Sequence, residues 1–149
     1  MKSQKNKETN KLQGVISISA KGTGYVKVLG EIPTKTGEDP EIDFKHLNTA
    51  MHGDIVEIIL HPKGKNRQTA EVSKIVTRAK MRFAGVLELD PAKDGTRNRI
   101  YFLKPDDTKM YTDILIPEPA LAGAKTGQKV FVEIASWKDP RKAPEGRKK

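Results

Sequence analysis

Asp106 and Asp107 stand side by side after Pro105, an arrangement that could hold a cation or share a proton in acid–base catalysis. Proline followed by aspartate also initiates turns, and no third or fourth oxygen ligand lies close in sequence. The pair therefore reads as a turn. His46, His52 and His61 lack the ligand spacing and carboxylate partners of a zinc site, and no glutamate base accompanies them. His52-Gly53-Asp54 reads as a turn leading into a strand. No serine or threonine lies in a recognisable nucleophile motif. The chain has no cysteine, which excludes disulfides and thiolate chemistry. No catalytic constellation emerges from these residues.

Binding chemistry is better represented. Lys21-Gly22-Thr23-Gly24-Tyr25-Val26-Lys27-Val28 has the glycines and lysines of a phosphate cradle. It lacks the third glycine of a dinucleotide loop and the Gly-Lys-Ser/Thr of a Walker loop, and it leads into a strand instead of a helix. It compares better with the RNA-binding strand pattern K/R-G-F/Y-G/A-F-V-x-F/Y, from which Thr23 and Val28 depart. Strand alternation places Lys21, Thr23, Tyr25 and Lys27 on one face and Val26 and Val28 on the other. A tyrosine between lysines suits single-stranded nucleic acid: the ring stacks on a base, worth about 1–3 kcal/mol, while the ammonium groups meet phosphates. The competing reading is a tyrosine that covers a sheet edge beside solvated lysines.

A second group comprises Arg97, Arg99, Tyr101, Phe102 and Lys104. Tyr101 and Phe102 are adjacent, so one of the two rings must face inward and the other is the stacking candidate. The basic stretch Arg78-Ala79-Lys80-Met81-Arg82 could contact phosphates through Lys80 and Arg82. Its alternative is a solvated linker.

These residues are carried by a repeat. Leu47, Ala50, Gly53, Val56, Ile58 and Leu60 recur as Leu121, Ala124, Gly127, Val130, Val132 and Ile134, an offset of 74 residues. Leu12-Gln13-Gly14-Val15-Ile16 resembles Phe83-Ala84-Gly85-Val86-Leu87 at an offset of 71. Two copies of one module are implied, joined near residues 78–82. Period-two alternation and β-branched residues place the first copy's strands at about 14–19, 23–29, 39–42, 54–61 and 69–77. Asp43 can cap a short helix reaching Ala50, and Gly53 then stops it. Five strands with a short helix between the third and fourth predict an OB-like Greek-key barrel, with an SH3-like barrel as the alternative. The second copy offers strands at 82–89, 97–104, 112–116 and 128–136.

The expected fold class is thus all-β, two tandem five-stranded OB barrels. The first occupies residues 12–79 and the second 80–143, between basic tails at 1–11 (disordered) and 144–149. A fifth strand of the second copy is due near residue 143, where Ala143-Pro144-Glu145-Gly146-Arg147-Lys148-Lys149 shows no apolar alternation. The second barrel is therefore expected to lack that strand. It then stays open, borrows a closing strand, or belongs to a longer protein.

The formal charge of +9 invites a nucleic-acid partner, but its distribution is uneven. Residues 1–11 carry +3 and residues 138–149 carry +4, leaving +2 for everything between. No apolar run is long enough for a membrane span and no signal peptide is visible. A cytoplasmic monomer without a membrane partner is expected.

Several segments together resemble the N-terminal region of ribonuclease R-type enzymes, within the ribonuclease II family. They are Lys21-Gly22-Thr23-Gly24-Tyr25-Val26, Leu47-Asn48-Thr49-Ala50-Met51-His52-Gly53-Asp54, Pro105-Asp106-Asp107 and Asp113-Ile114-Leu115-Ile116-Pro117. The resemblance runs from about residue 12 to 146. It implies two cold-shock-type OB domains that capture single-stranded RNA for a processive 3′-to-5′ exoribonuclease. Magnesium would be needed only in that enzyme's catalytic domain, none of whose residues lies here. No cofactor is expected in this chain. At the third strand, Glu41 stands where cold-shock domains often carry an aromatic residue or histidine. Single-stranded DNA is the alternative ligand, and a free-standing RNA chaperone or protein-docking module the alternative role.

Overall fold

The computed structural model describes residues 11–30, 38–62, 66–90 and 99–149. The first ten residues of the expected N-terminal tail, and Arg97, lie outside them. The described residues form ten strands and two 3-10 turns, in two units divided between Lys80 and Met81.

The first unit contains β1 (Lys11–Ile18), β2 (Gly24–Val28), β3 (Glu41–Ile42), β4 (Ile55–Leu60) and β5 (Thr69–Thr77). They close in the order β1-β2-β3-β5-β4, with β4 returning to β1. All pairings are antiparallel except β3 with β5, the crossover of an OB barrel. Alternation in the sequence drives the closure. Ile16 and Ile18 of β1, Val26 of β2, Ile42 of β3, Val56 and Ile58 of β4 and Ala70 of β5 all point inward and are completely buried. The turn between β1 and β2 is closed by Gly22 N donating to Ser19 O at 2.9 Å and Ser19 N donating to Thr23 O at 2.9 Å.

The second unit contains β6 (Arg82–Leu89), β7 (Tyr101–Pro105), β8 (Ile114–Ile116), β9 (Lys129–Ser136) and β10 (Glu145–Lys148). Its order, β10-β8-β7-β6-β9, repeats that of the first barrel, and β8 pairs in parallel with β10. Phe83, Leu87, Leu103, Ile114, Ile116 and Val132 fill it.

The expectation of a missing fifth strand is therefore wrong, and residues 144–149 are not a tail. Residues 145–148 pair with β9 from Glu145↔Ser136 to Lys148↔Val132. The strand was invisible because its inward positions carry almost no side chain. Pro144 and Gly146 are the buried residues of the segment. A Cβ on Gly146 would stand 2.8 Å from Ile114 Cγ2 and 3.0 Å from Glu133 O, so only glycine fits there. A glycine in the inward slot gives no hydrophobic signal.

The expected helix from Asp43 to Ala50 is also shorter than the sequence suggested. Asp43 does cap it, accepting from Phe44 N at 2.9 Å, but the helical segment is one 3-10 turn, Phe44–His46. Asn48 and Thr49 then take φ values of 47° and 67°, which ends any helix. The second barrel has a 3-10 turn, Glu118–Leu121, at the same point in its order, followed by Ala122 and Gly123 at φ 49° and 83°.

The repeat extends to individual hydrogen bonds. Ile16 N donates to Asp54 O and Gly53 N to Ile16 O in barrel one; Leu87 N donates to Gln128 O and Gly127 N to Leu87 O in barrel two. Met51 N donates to the Asp54 carboxylate, and Lys125 N to the Gln128 side chain. Among the described residues no helix is long and apolar enough to cross a membrane.

Candidate nucleic-acid interface

On β2 the expected alternation holds. Gly24, Val26 and Val28 are buried, Lys21 and Lys27 are exposed, and Thr23 and Tyr25 are half-buried on the outer face. Tyr25 lies between Ser17 of β1 and Glu41 of β3. The Arg67 guanidinium carbon sits 4.9 Å from the centroid of the Tyr25 ring, a cation–π contact. Arg67 is held there by two hydrogen bonds to Asp39 O, at 2.9 and 3.0 Å. The ring thus already carries a cation against one face, and a base stacking on it must share the ring with Arg67.

A second aromatic residue borders this face and was missed in the sequence. Phe44 is 56% exposed. Its ring lies over Gly22, where an added Cβ would stand 2.7 Å from Phe44 Cδ2. An α-helix would have put Phe44 on the same buried stripe as Leu47, three residues later. The 3-10 turn breaks that phase, leaving Leu47 buried and Phe44 outside. Gly22 belongs to the turn between β1 and β2, and Tyr25 is the second residue of β2. The outer surface of barrel one therefore offers two rings flanked by Lys21, Lys27 and Arg67, with Glu41 on β3 and Glu38, 3.7 Å from Arg67 Nε, as the acidic intrusions.

The basic junction does different work. Arg78 reaches back into barrel one: its Nη1 donates to Asp54 Oδ2 at 2.9 Å and to Thr49 O at 2.6 Å, and Nη2 donates to Thr49 Oγ1 at 3.1 Å. Asp54 is completely buried and also accepts from Met51 N and Ala79 N. Asp54 was read only as part of a turn; a lone aspartate after glycine gives no sequence signal of burial. Arg82 is likewise engaged, bonding Glu133 Oε2 at 3.1 Å across β6 and β9, so its charge is shared with that carboxylate. Lys80 lies in the short exposed stretch between β5 and β6.

In barrel two, the inward phase of β7 is set by Leu103, which is completely buried. Tyr101 shares that phase, so the outward ring is Phe102, beside exposed Lys104. Both rings are half-buried, and the outward phase favours Phe102 of the two. Phe102 lies between Glu88 of β6 and Leu115 of β8. Burial raises the pKa of Asp113, Glu88 raises it further, and Lys104 opposes both. This surface is more acidic than its counterpart in barrel one. Arg99 is exposed just before β7. Glu133 has the opposite character: hydrogen bonds from Arg147 and then Arg82, with Lys149 nearby, hold its carboxyl at about 2.

Asp106 and Asp107 behave as turn residues. Lys129 Nζ bonds both Asp106 oxygens, at 2.7 and 2.6 Å, and Asp107 Oδ1 accepts from Lys109 N at 2.9 Å. The histidines are structural. His52 Nδ1 accepts from Ile18 N, and His61 contacts Thr69, Glu71 and the His46 ring.

Two closed Greek-key barrels with aromatic and basic residues on an outer strand face define a tandem OB protein, and residues 102–147 match the cold shock domain family. Over most of its length the chain is similar to ribonuclease R. It is 25% identical over 126 residues to ribonuclease R of Escherichia coli, covering 83% of this chain and 14% of that protein. With the Thermotoga maritima protein it shares 26% over 125 residues, 84% of this chain and 16% of that one. The chain thus spans about one seventh of the length of these relatives. The same fold recurs in Mycoplasma genitalium ribonuclease R in complex with ribose-methylated single-stranded RNA, with a TM-score of 0.74 at 20% identity, covering 93% of this chain and 21% of that one. It recurs too in yeast Ssd1, a pseudonuclease, with a TM-score of 0.74 at 17% identity, covering 99% of this chain and 23% of that one.

Proposed function

We propose that this chain binds single-stranded RNA and acts as the RNA-capturing region of a 3′-to-5′ exoribonuclease of the ribonuclease R type. The observation that carries the reading is the outer face of barrel one, where Tyr25 and the exposed Phe44 flank a row of cations on a cold-shock-type barrel. The similarity to ribonuclease R and the RNA-bound form of one of its relatives support it. Stacking rings tolerate any base and fit a role in threading RNA of varied sequence. Lys21, Lys27 and Arg67 serve phosphates; Phe102, Lys104, Arg99 and Lys80 make lesser contributions. Hydrolysis and its magnesium belong to the catalytic domain of the whole enzyme, and single-stranded DNA is the alternative ligand.

Fluorescence polarisation with a labelled single-stranded oligoribonucleotide tests this reading. Tyr25→Ala and Phe44→Ala should each weaken binding by about 1–3 kcal/mol. A double variant that binds as tightly as the parent chain overturns the assignment of this face.

A further inference from the structure

The turn joining β9 to β10 carries the chain's single tryptophan, Trp137, and no role described above uses it. Trp137 Nε1 donates to Lys142 O at 2.9 Å, which spans the turn and fixes the indole. Asp139 shapes the same turn, accepting from Arg141 N at 2.9 Å and from Lys142 N, through its carbonyl, at 3.0 Å. The indole meets Tyr111, from the loop between β7 and β8, with ring centroids 5.9 Å apart and planes tilted by 44°. Both rings are half-buried, so each keeps exposed surface. Around Trp137 stand Lys138, Arg141 and Lys142, all exposed, against one acid, Asp139. Of the acids of the neighbouring loop, Asp106 is held by Lys129 and Asp107 accepts from Lys109 N.

We infer that Trp137 and Tyr111 form a second stacking platform for single-stranded RNA, at the loop end of barrel two, with Lys138 and Lys142 meeting the phosphates. Aromatic rings held rigid among cations are what an unpaired base with its phosphate requires, since a fixed indole loses little freedom on stacking. A partner protein would more often be met by an apolar patch, whereas here every residue from 138 to 142 except Pro140 is charged. The inference rests on the RNA-binding reading of the chain but uses different residues, so the two can fail separately.

The test titrates the full 149-residue chain with a 12-nucleotide oligouridylate, following Trp137 emission and the polarisation of a labelled copy in parallel. Quenching whose midpoint coincides with the polarisation midpoint is expected. Trp137→Leu should weaken binding by between about 5-fold and about 150-fold, and Tyr111→Leu by less. Trp137→Phe, which keeps a ring but loses the Nε1 donor, should restore most of the affinity and excludes a merely structural effect. Tight binding with unquenched emission and an unaffected Trp137→Leu variant overturns this platform while leaving the barrel-one face intact. Failure of the parent chain to bind at low salt overturns both.

Discussion

Asp54 and Gln128 occupy the same place in the two repeats and accept the same backbone hydrogen bond, yet their surroundings differ. Asp54 is completely buried and bridged by Arg78, whereas Gln128 is exposed. A buried carboxylate left without its cation is costly, because the charge is then neither solvated nor neutralised. Arg78→Ala should therefore destabilise barrel one by about 3–5 kcal/mol, read as a shift in the denaturant midpoint. Gln128→Ala loses one exposed hydrogen bond and should cost about 1 kcal/mol or less. Thr49 adds a second reason for the difference. A β-branched residue at φ 67° is strained, and Arg78 bonds both its carbonyl and its hydroxyl. Arg78 thus secures an unfavourable backbone as well as a charge.

At the scale of elements, the closing strand of barrel two depends on Glu133 of β9, which gathers Arg147 of β10, Arg82 of β6 and Lys149. The carboxyl is held down from 4.5 to about 2. A carboxylate with a depressed folded-state pKa contributes stability that is fully present above its unfolded value. That contribution is lost as the pH falls from about 4.5 through about 2. Hydrogen exchange at the β10 amides should accelerate relative to the core of β6 over that window, and Glu133→Gln should abolish the difference. Gly146→Val should open the same strand at neutral pH, since its added atoms meet Ile114 and the Glu133 carbonyl. Most elements could be read from the sequence because alternation is strong along the longer strands, as in β1, β4, β6 and β9. The exceptions share one physical cause. Gly146, Phe44 and Asp54 each owe their position to tertiary context: a glycine in an inward slot, a 3-10 turn that rotates a ring outward, and a charge buried by a residue 24 positions away. The outward face of β2, with Tyr25 and Lys27, was legible for the same reason that the strand was. Trp137 was not, because a turn has no period from which a side chain's direction can be read.

For the whole molecule, the charge of +9 overstates the cationic surface available to RNA. Arg78, Arg82, Lys129, Arg141 and Arg147 all lie in ion pairs with the chain's own carboxylates, and Arg67 shares its charge with Glu38 at 3.7 Å. The salt dependence of RNA binding should accordingly be modest. If Lys21, Lys27 and Arg67 make the principal phosphate contacts, log K should fall against log salt with a slope of about −2, from about −0.7 per contact on single strands. A titration at three or more salt concentrations measures this. A slope as steep as the net charge suggests would mean that basic residues elsewhere in the chain, not the barrel face, dominate binding.

Each barrel is sealed by its own final strand: β5 ends at Thr77 and β10 at Lys148. On the ribosome this sets an order of events. Barrel one has all its strands once Thr77 has emerged, while barrel two must wait for another 71 residues, the distance from Thr77 to Lys148. At about 5–20 residues per second that interval is roughly 4–14 s. In its last part, after Ser136 has been added, the edges of β8 and β9 await a partner that has not yet been synthesised. The glycine and flanking charges of β10, which hid the strand from sequence reading, also make the last segment to arrive too polar to aggregate while it docks.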